Sequence, residues 1–373
     1  MGETRSSRRR RSSPGPRRGA RLRLRLLGAA LLGVLAVVAV AALLLRPEPV
    51  PVAGQGAESG AAGRGGAAPL AMLIDGAYGA RFAGEMAAFR NGYFPPGTTL
   101  QADPGDADFV AKVARQNAVG VTSAVKFLEA AWRGVPVVAF AGSLLDTPVR
   151  VFAPAAADLR RPEDLVGKRI GYRTGDADGV MVVDAMFAQL GLPRSRITLV
   201  PLEDPFAALQ AGTVDAVISE AGRQPLPPAR PISSPSPIIP PLHLPPQTYF
   251  ASAALVRERP QAILGMLEAL IKGWRFVYAD ETRSVPMLTG FDPGRLAPDR
   301  VAFELQQQRS LVLPTGGRIG EYDESRWRTL RDILLFAKRG EETVPLAQIV
   351  NYQFLREAYR QNPDGGRSGR TED

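Results

Sequence analysis

From residue 70 to residue 220 the chain alternates short apolar runs with stretches in which apolar residues recur every three or four positions. The runs fall at 70–74, 99–101, 118–121, 135–141, 149–152, 169–172, 197–200 and 214–219. Strand-like runs interleaved with helical periods are the pattern of βαβ units, so this region predicts an α/β architecture built on parallel strands. In such sheets, small molecules bind beyond the carboxyl ends of the strands. After about residue 260 the period becomes helical throughout, with Trp274, Trp327 and the run 330–335 as packing elements. No fixed-period repeat is visible.

Three segments break the alternation. Residues 26–45 are 20 consecutive positions without a charge, which as a helix span roughly the 30 Å of a bilayer core. An arginine-rich flank precedes them and a lone Arg46 follows, which places the N-terminus in the cytoplasm by the positive-inside rule. The expectation is a basic cytoplasmic tail at 1–25, a transmembrane helix at 26–45 and the bulk of the chain outside the cytoplasmic membrane. A cleaved signal peptide ending near Ala39-Val40-Ala41 is the competing reading, but 20 apolar residues exceed a usual signal h-region. Residues 46–68 are too poor in large apolar side chains to build a core and read as a flexible tether. Residues 223–247 are so rich in proline that a helix is forbidden and a central strand disfavoured, leaving an extended crossover. Residues 362–373 read as a disordered tail.

Charge changes the picture only by its location. The formal charge is +9, but residues 1–25 hold ten Arg and one Glu, leaving 36 basic against 36 acidic side chains in the rest. A nucleic-acid module needs its positive charge on the folded domain, so nucleic acid is not an expected partner. With no Cys and one His, His243, disulfides, a lipid-modified cysteine, the usual metal clusters and Cys-His catalytic pairs are all out of reach. No G-x-S-x-G elbow or G-x-x-x-x-G-K-S/T phosphate loop occurs. No metal, no cofactor and no enzymatic activity are expected.

Four segments carry a family resemblance: F-A-G-E-M-A-A-F-R-N-G-Y-F at 82–94, V-G-V-T-S-A-V-K-F-L-E-A-A-W-R-G-V-P-V-V-A-F at 119–140, D-L-R-R-P-E-D-L-V-G-K-R-I-G-Y at 158–172 with A-A-L-Q-A-G-T-V-D-A-V-I-S-E at 207–220, and R-E-R-P-Q-A-I-L-G-M-L-E-A-L-I-K-G-W-R-F-V at 257–277. In this order they resemble the substrate-binding proteins of ABC importers, specifically the nitrate/sulfonate/taurine and thiamine-pyrimidine (NMT1/THI5-like) group, over about residues 69–359. The resemblance implies a type II periplasmic-binding fold of two α/β lobes with a cleft, spanning 69–361. Lobe one is expected at 69–153 plus 248–361, lobe two at 154–222 and the crossover at 223–247. Together with the apolar segment at 26–45, the resemblance implies a membrane-tethered binding protein that captures a thiamine-pyrimidine-like or other small nitrogen- or sulfur-containing compound and hands it to an ABC permease and its ATPase. The alternative is a sensing or scaffolding subunit acting through a partner signalling protein. Where the pyrimidine-binding branch carries an Asn and a His, this chain has Gly79 and Phe82. The cysteine-rich motif of the enzymatic thiamine-pyrimidine synthases has no counterpart.

Polar residues at the carboxyl ends of the expected strands are the candidate ligand contacts. They are Asp75 and Tyr78 after the first strand, Thr122 and Ser123 after the run 118–121, Ser143 after 135–141, Thr174, Gly175 and Asp176 in the turn after 169–172, and Glu220 after 214–219. Thr122, Ser123, Thr174 and Asp176 are equally the residue types that cap helices. Arg81 and Arg173 are the nearby cations.

Overall fold

The computed structural model describes residues 69–225, 236–238, 244–313, 318–321 and 323–361. The expected span 26–45, tether 46–68 and tail 362–373 lie outside these residues. Among the described residues no helix is long and apolar enough to cross a membrane.

Among the described residues, ten strands form two five-stranded sheets. The first holds β1 (Ala71–Ile74), β2 (Thr99–Ala102), β3 (Ala118–Ser123), β4 (Val137–Gly142) and β10 (Gln247–Ser252), in the order β2-β1-β3-β10-β4. The second holds β5 (Val149–Ala153), β6 (Arg169–Arg173), β7 (Thr198–Leu202), β8 (Ala216–Glu220) and β9 (Ser236–Ile238), in the order β7-β6-β8-β5-β9. β1 runs parallel to β2 and β3, and β6 parallel to β7 and β8, so the two sheets repeat one winding.

Both sheets are mixed, which corrects the expectation of parallel strands alone. β10 lies antiparallel between β3 and β4, and β5 antiparallel between β8 and β9. The chain therefore crosses to the second sheet before Val149, ahead of the boundary expected after residue 153. Within the proline-rich segment, β9 includes Pro237 and sits at the sheet edge, where a missing N–H removes no ladder bond from a further strand.

Lobe one packs α1 (Ala83–Arg90), α2 (Phe109–Arg115) and α3 (Ala124–Trp132) on its sheet, and lobe two packs α4 (Ala177–Gln189) and α5 (Pro205–Gln210). After β10 come α6 (Ala253–Glu258), α7 (Pro260–Ala279), α8 (Glu281–Thr289), α9 (Pro298–Val312), α10 (Glu324–Phe336), α11 (Leu346–Ile349) and α12 (Gln353–Gln361). α7 buries Ile263, Leu267, Leu270, Trp274 and Val277, a stripe at three- and four-residue spacing, against α1. The two helices cross at glycines. A Cβ on Gly84 would lie 2.4 Å from the Trp274 ring, and one on Gly273 2.1 Å from the Gly84 carbonyl oxygen.

Alternate residues of β10 face opposite cores. Tyr249 joins the apolar cluster under α1, α7 and α9, whereas Phe250 joins the cluster under α2, α3 and α10. With both faces covered, β10 has no solvated side, and all six of its residues are buried. The connections between the lobes are tied to each other: the Ser143 hydroxyl lies 2.9 Å from Gln247 Oε1, and the Leu244 N–H donates to Asp146 Oδ1 at 3.3 Å.

Candidate functional site

The parallel strands of both lobes end toward a shared interface, and the strand ends carry the polar groups. Asp75 follows β1, and its N–H bonds the Val121 carbonyl at 3.0 Å, extending the ladder by one residue. Its carboxylate accepts from the Thr122 hydroxyl and, at 2.9 Å, from Lys126 Nζ. Thr122 is wholly buried and Asp75 nearly so, while Lys126 stands half exposed one turn into α3. Ser123 caps that helix, accepting from the Lys126 N–H at 3.1 Å.

Across the interface, the turn after β6 carries Thr174, Gly175 and Asp176. Gly175 has φ +87°, a conformation that favours glycine. Asp176 caps α4 by accepting from the Gly179 N–H at 2.9 Å. Burial raises its carboxyl above the ordinary range, and Glu220 and Asp178 push the same way, while the Gly179 N–H and Arg81 oppose them. Thr174 is exposed and donates its N–H to the Leu202 carbonyl.

Glu220, the last residue of β8, meets Arg81. The Arg81 Nη1 lies 2.7 Å from Glu220 Oε1, and Arg223 approaches the same carboxylate at 3.7 Å. Arg81 belongs to lobe one, on the single 3-10 turn Ala80–Phe82 that follows β1. α9 buttresses both ends of this pair. Gln308 donates to the Ala80 carbonyl at 2.6 Å, and Arg300 donates to the carbonyls of Gly222 and Gln224 at 2.9 and 2.7 Å.

A second ion-pair link joins the lobes. Arg339, just beyond α10, lies 2.7 Å from Glu129 of α3 and 3.8 Å from Asp178 of α4. Beside it lies a pocket of about 390 Å³ between Lys126 and Glu129 of α3, Arg133 at its end, and Gly175, Asp176 and Asp178 of lobe two.

One turn after Arg81, Glu85 is fully buried. The Tyr249 hydroxyl donates to its Oε1 at 2.8 Å, and the Trp274 Nε1–H donates to that hydroxyl at 2.9 Å. Among the described residues, Glu85 Oε2 has no hydrogen-bond partner. Burial pushes the Glu85 carboxyl up to about 7, with its own backbone, the Tyr249 bond and Arg81 pulling back.

Of the nine residues selected from sequence, Gly175 and Asp176 line the interlobe pocket, and Glu220 acts on Asp176 through its charge. Asp75, Thr122 and Ser123 form the adjoining wall through Lys126. Three lie elsewhere: Tyr78 packs on Phe291 at 5.2 Å between ring centroids, Ser143 sits in the connection between the lobes with Gln247, and Thr174 is exposed with its N–H on the Leu202 carbonyl. The cationic lining groups that sequence selection passed over are Lys126, Arg133 and Arg339. Lys126 lies one turn beyond Ser123 and was within reach of the strand-end rule, whereas Arg339 is 210 positions from Glu129 and carries no sequence signal. Among the described residues, no group of three or more His, Cys, Asp or Glu is placed to hold a metal.

The sequence model of a family described as NMT1/THI5 like matches residues 80–284. The chain belongs to that family. Solved structures with the same fold include the periplasmic aliphatic sulphonate binding protein SsuA from Escherichia coli, with TM-score 0.62 and 14% identity over 75% of this chain and 91% of that one. The alkanesulfonate-binding protein SsuA from Xanthomonas axonopodis pv. citri, bound to MOPS, gives TM-score 0.55 and 16% identity over 76% and 98%. The desulfurization enzyme DszB gives TM-score 0.53 and 14% identity over 78% and 99%. A search of curated proteins returns no match. NMT1/THI5-like membership and an α/β fold of the periplasmic-binding kind agree with the sequence resemblance.

Proposed function

We propose that this NMT1/THI5-like protein is an extracytoplasmic solute-binding protein. It closes two lobes over a small molecule and delivers it to an ABC permease, tethered by the apolar segment at 26–45. The observation that carries the reading is the pocket between Lys126 and Asp176, bounded by residues of both lobes and bridged by Arg339. A site whose walls belong to two lobes is completed by closure. Alkanesulfonate binding by the SsuA neighbours supports the transport reading. The enzyme DszB shares the fold, but a chain without cysteine and with a single histidine has few nucleophiles and bases to offer.

The lining also limits the ligand. Lys126, Arg133 and Arg339 stand among Asp108, Glu129, Asp176 and Asp178. Mixed charge at this density suits a zwitterion, or a neutral molecule with both donors and acceptors, better than a bare anion. This shifts the sequence-based candidates toward amino-sulfonate-like or amino-acid-like solutes.

The test is a thermal-shift screen of zwitterionic and neutral solutes on the full chain, followed by small-angle scattering. A true ligand raises stability by RT ln(1 + [L]/Kd), and the radius of gyration falls at saturation. A bound ligand that leaves the radius unchanged would defeat the closure mechanism.

A further inference from the structure

A cleft larger than the strand-end pocket lies outside it. It runs between α4 of lobe two and α10, which packs on lobe one through Trp327 against Phe127 at 5.8 Å. Its volume is about 1380 Å³, above the roughly 300–1,000 Å³ of ordinary small-molecule sites. Val180, Met181, Ala185, Leu192, Ile333 and Phe336 line it. Phe336 is 81% exposed at the rim, the largest exposure of any big apolar side chain described. Asp184 and Arg194, also in the lining, pair with each other and offer already matched charge.

Two residues belong to both cavities. Gly175 and Arg339 line the apolar cleft and the polar interlobe pocket alike. A molecule seated across this junction would place one end among the charges around Asp176 and Lys126 and the other between two helices of different lobes. We propose that the α4–α10 cleft is a second ligand subsite, which takes the apolar body of an amphiphilic small molecule whose polar head occupies the interlobe pocket. This inference rests on the solute-binding reading for the head and adds the ligand class: a polar or zwitterionic head bearing an alkyl or aromatic body. Lining residues shared with the polar pocket, and walls from both lobes, favour a small ligand over a protein partner, which would need no connection to the interior.

The probe is a pair of N-alkyl-N,N-dimethylglycines, ethyl and hexyl, titrated into the full chain by calorimetry. Each buried methylene is worth about fourfold in a closed site and about twofold in a half-open one, so the hexyl compound is expected to bind at least about tenfold tighter than the ethyl. Ala188→Trp, on the exposed side of α4, fills the cleft, and Phe336→Ser removes its rim. Each is expected to cut the hexyl-to-ethyl ratio to about threefold or less. A ratio near one in the parent protein would overturn the subsite, as would a ratio unchanged in both variants; either is the outcome if the cleft seats a protein partner or a second copy. Should the ratio behave as expected while neither compound contracts the protein in scattering, the subsite stands and the lobe-closure reading falls.

Discussion

Arg81 of lobe one and Glu220 of lobe two form an ion pair at 2.7 Å between side chains that are 32% and 25% exposed. Glu220 therefore has a cationic partner within its own chain, so a ligand amine is not needed to balance it. Replacing either partner with Gln should lower stability, and the double replacement should cost little more than either alone. The coupling from a double-mutant cycle in urea is expected at about 0.5–1 kcal/mol. It should shrink in about 1 M salt, where screening acts within about 3 Å. The unliganded single variants should also show a larger radius of gyration. A coupling of zero, with an unchanged radius, would remove the pair from any role in holding the lobes.

Glu85 makes stability depend on pH. Its folded-state value of about 7 lies above the ordinary 4.5, so the native state binds the proton more tightly than the unfolded chain. The resulting stabilisation is fully present below about pH 4.5 and is lost as pH rises through about 7, an amount of about 3 kcal/mol. Glu85→Gln should match the parent near pH 5 and be more stable near pH 8. Urea midpoints at the two pH values check this, and a parent that is the more stable at pH 8 would refute it.

The Gly84–Gly273 crossing tolerates no side chain. Alanine at position 273 gains up to about 1 kcal/mol of helix propensity. Its Cβ, however, would meet the Gly84 carbonyl at 2.1 Å, and overpacking costs about 1–3 kcal/mol or more. Because the obstacle is backbone, the clash should win. Gly273→Ala is expected to unfold at lower urea, whereas Gly92→Ala, where no atom lies within 4 Å but φ is +66°, should lose only what a left-handed conformation costs, about 1 kcal/mol.

Ser143 and Thr174 were selected by the same rule, yet should respond differently. Ser143→Ala leaves the buried Gln247 Oε1 without its hydroxyl donor, a loss of about 1–3 kcal/mol. Thr174→Ala removes an exposed hydroxyl and should cost under about 0.5 kcal/mol. Thermal denaturation of the two variants separates them, and equal losses would contradict the placing of Ser143 in the connection between the lobes.

The first eight strands were legible because each is a local apolar run. β10 was not, since Gln247–Ser252 has no period of its own and takes its place from β3 and β4, more than 100 positions earlier. The strand-end rule found Asp176 and Glu220 through the logic of parallel sheets. It did not show that Arg81 meets Glu220, because side chains 139 positions apart are brought together by the stacking of lobes. Glu85 was equally hidden. In the run A-G-E-M-A-A it looks like a polar helix position, and only the packing of α1 against α7 and β10 buries it.

The antiparallel strands have a consequence in time. In lobe one, β4 joins β3 only through β10, so until residues 247–252 leave the ribosome β4 has no strand to pair with and the sheet ends at β3. β5, meanwhile, emerges early and must wait for β8 at 216–220. Lobe one takes β10 from beyond the whole of lobe two, whose strands all fall between Val149 and Ile238. Lobe two can therefore complete its sheet first, and a chain stopped after residue 222 would carry a lobe-one sheet without β10 and a lobe-two sheet without its edge strand β9. Lobe one is thus open to chaperones or proteases until lobe two has been made, and its sheet acquires its stability last.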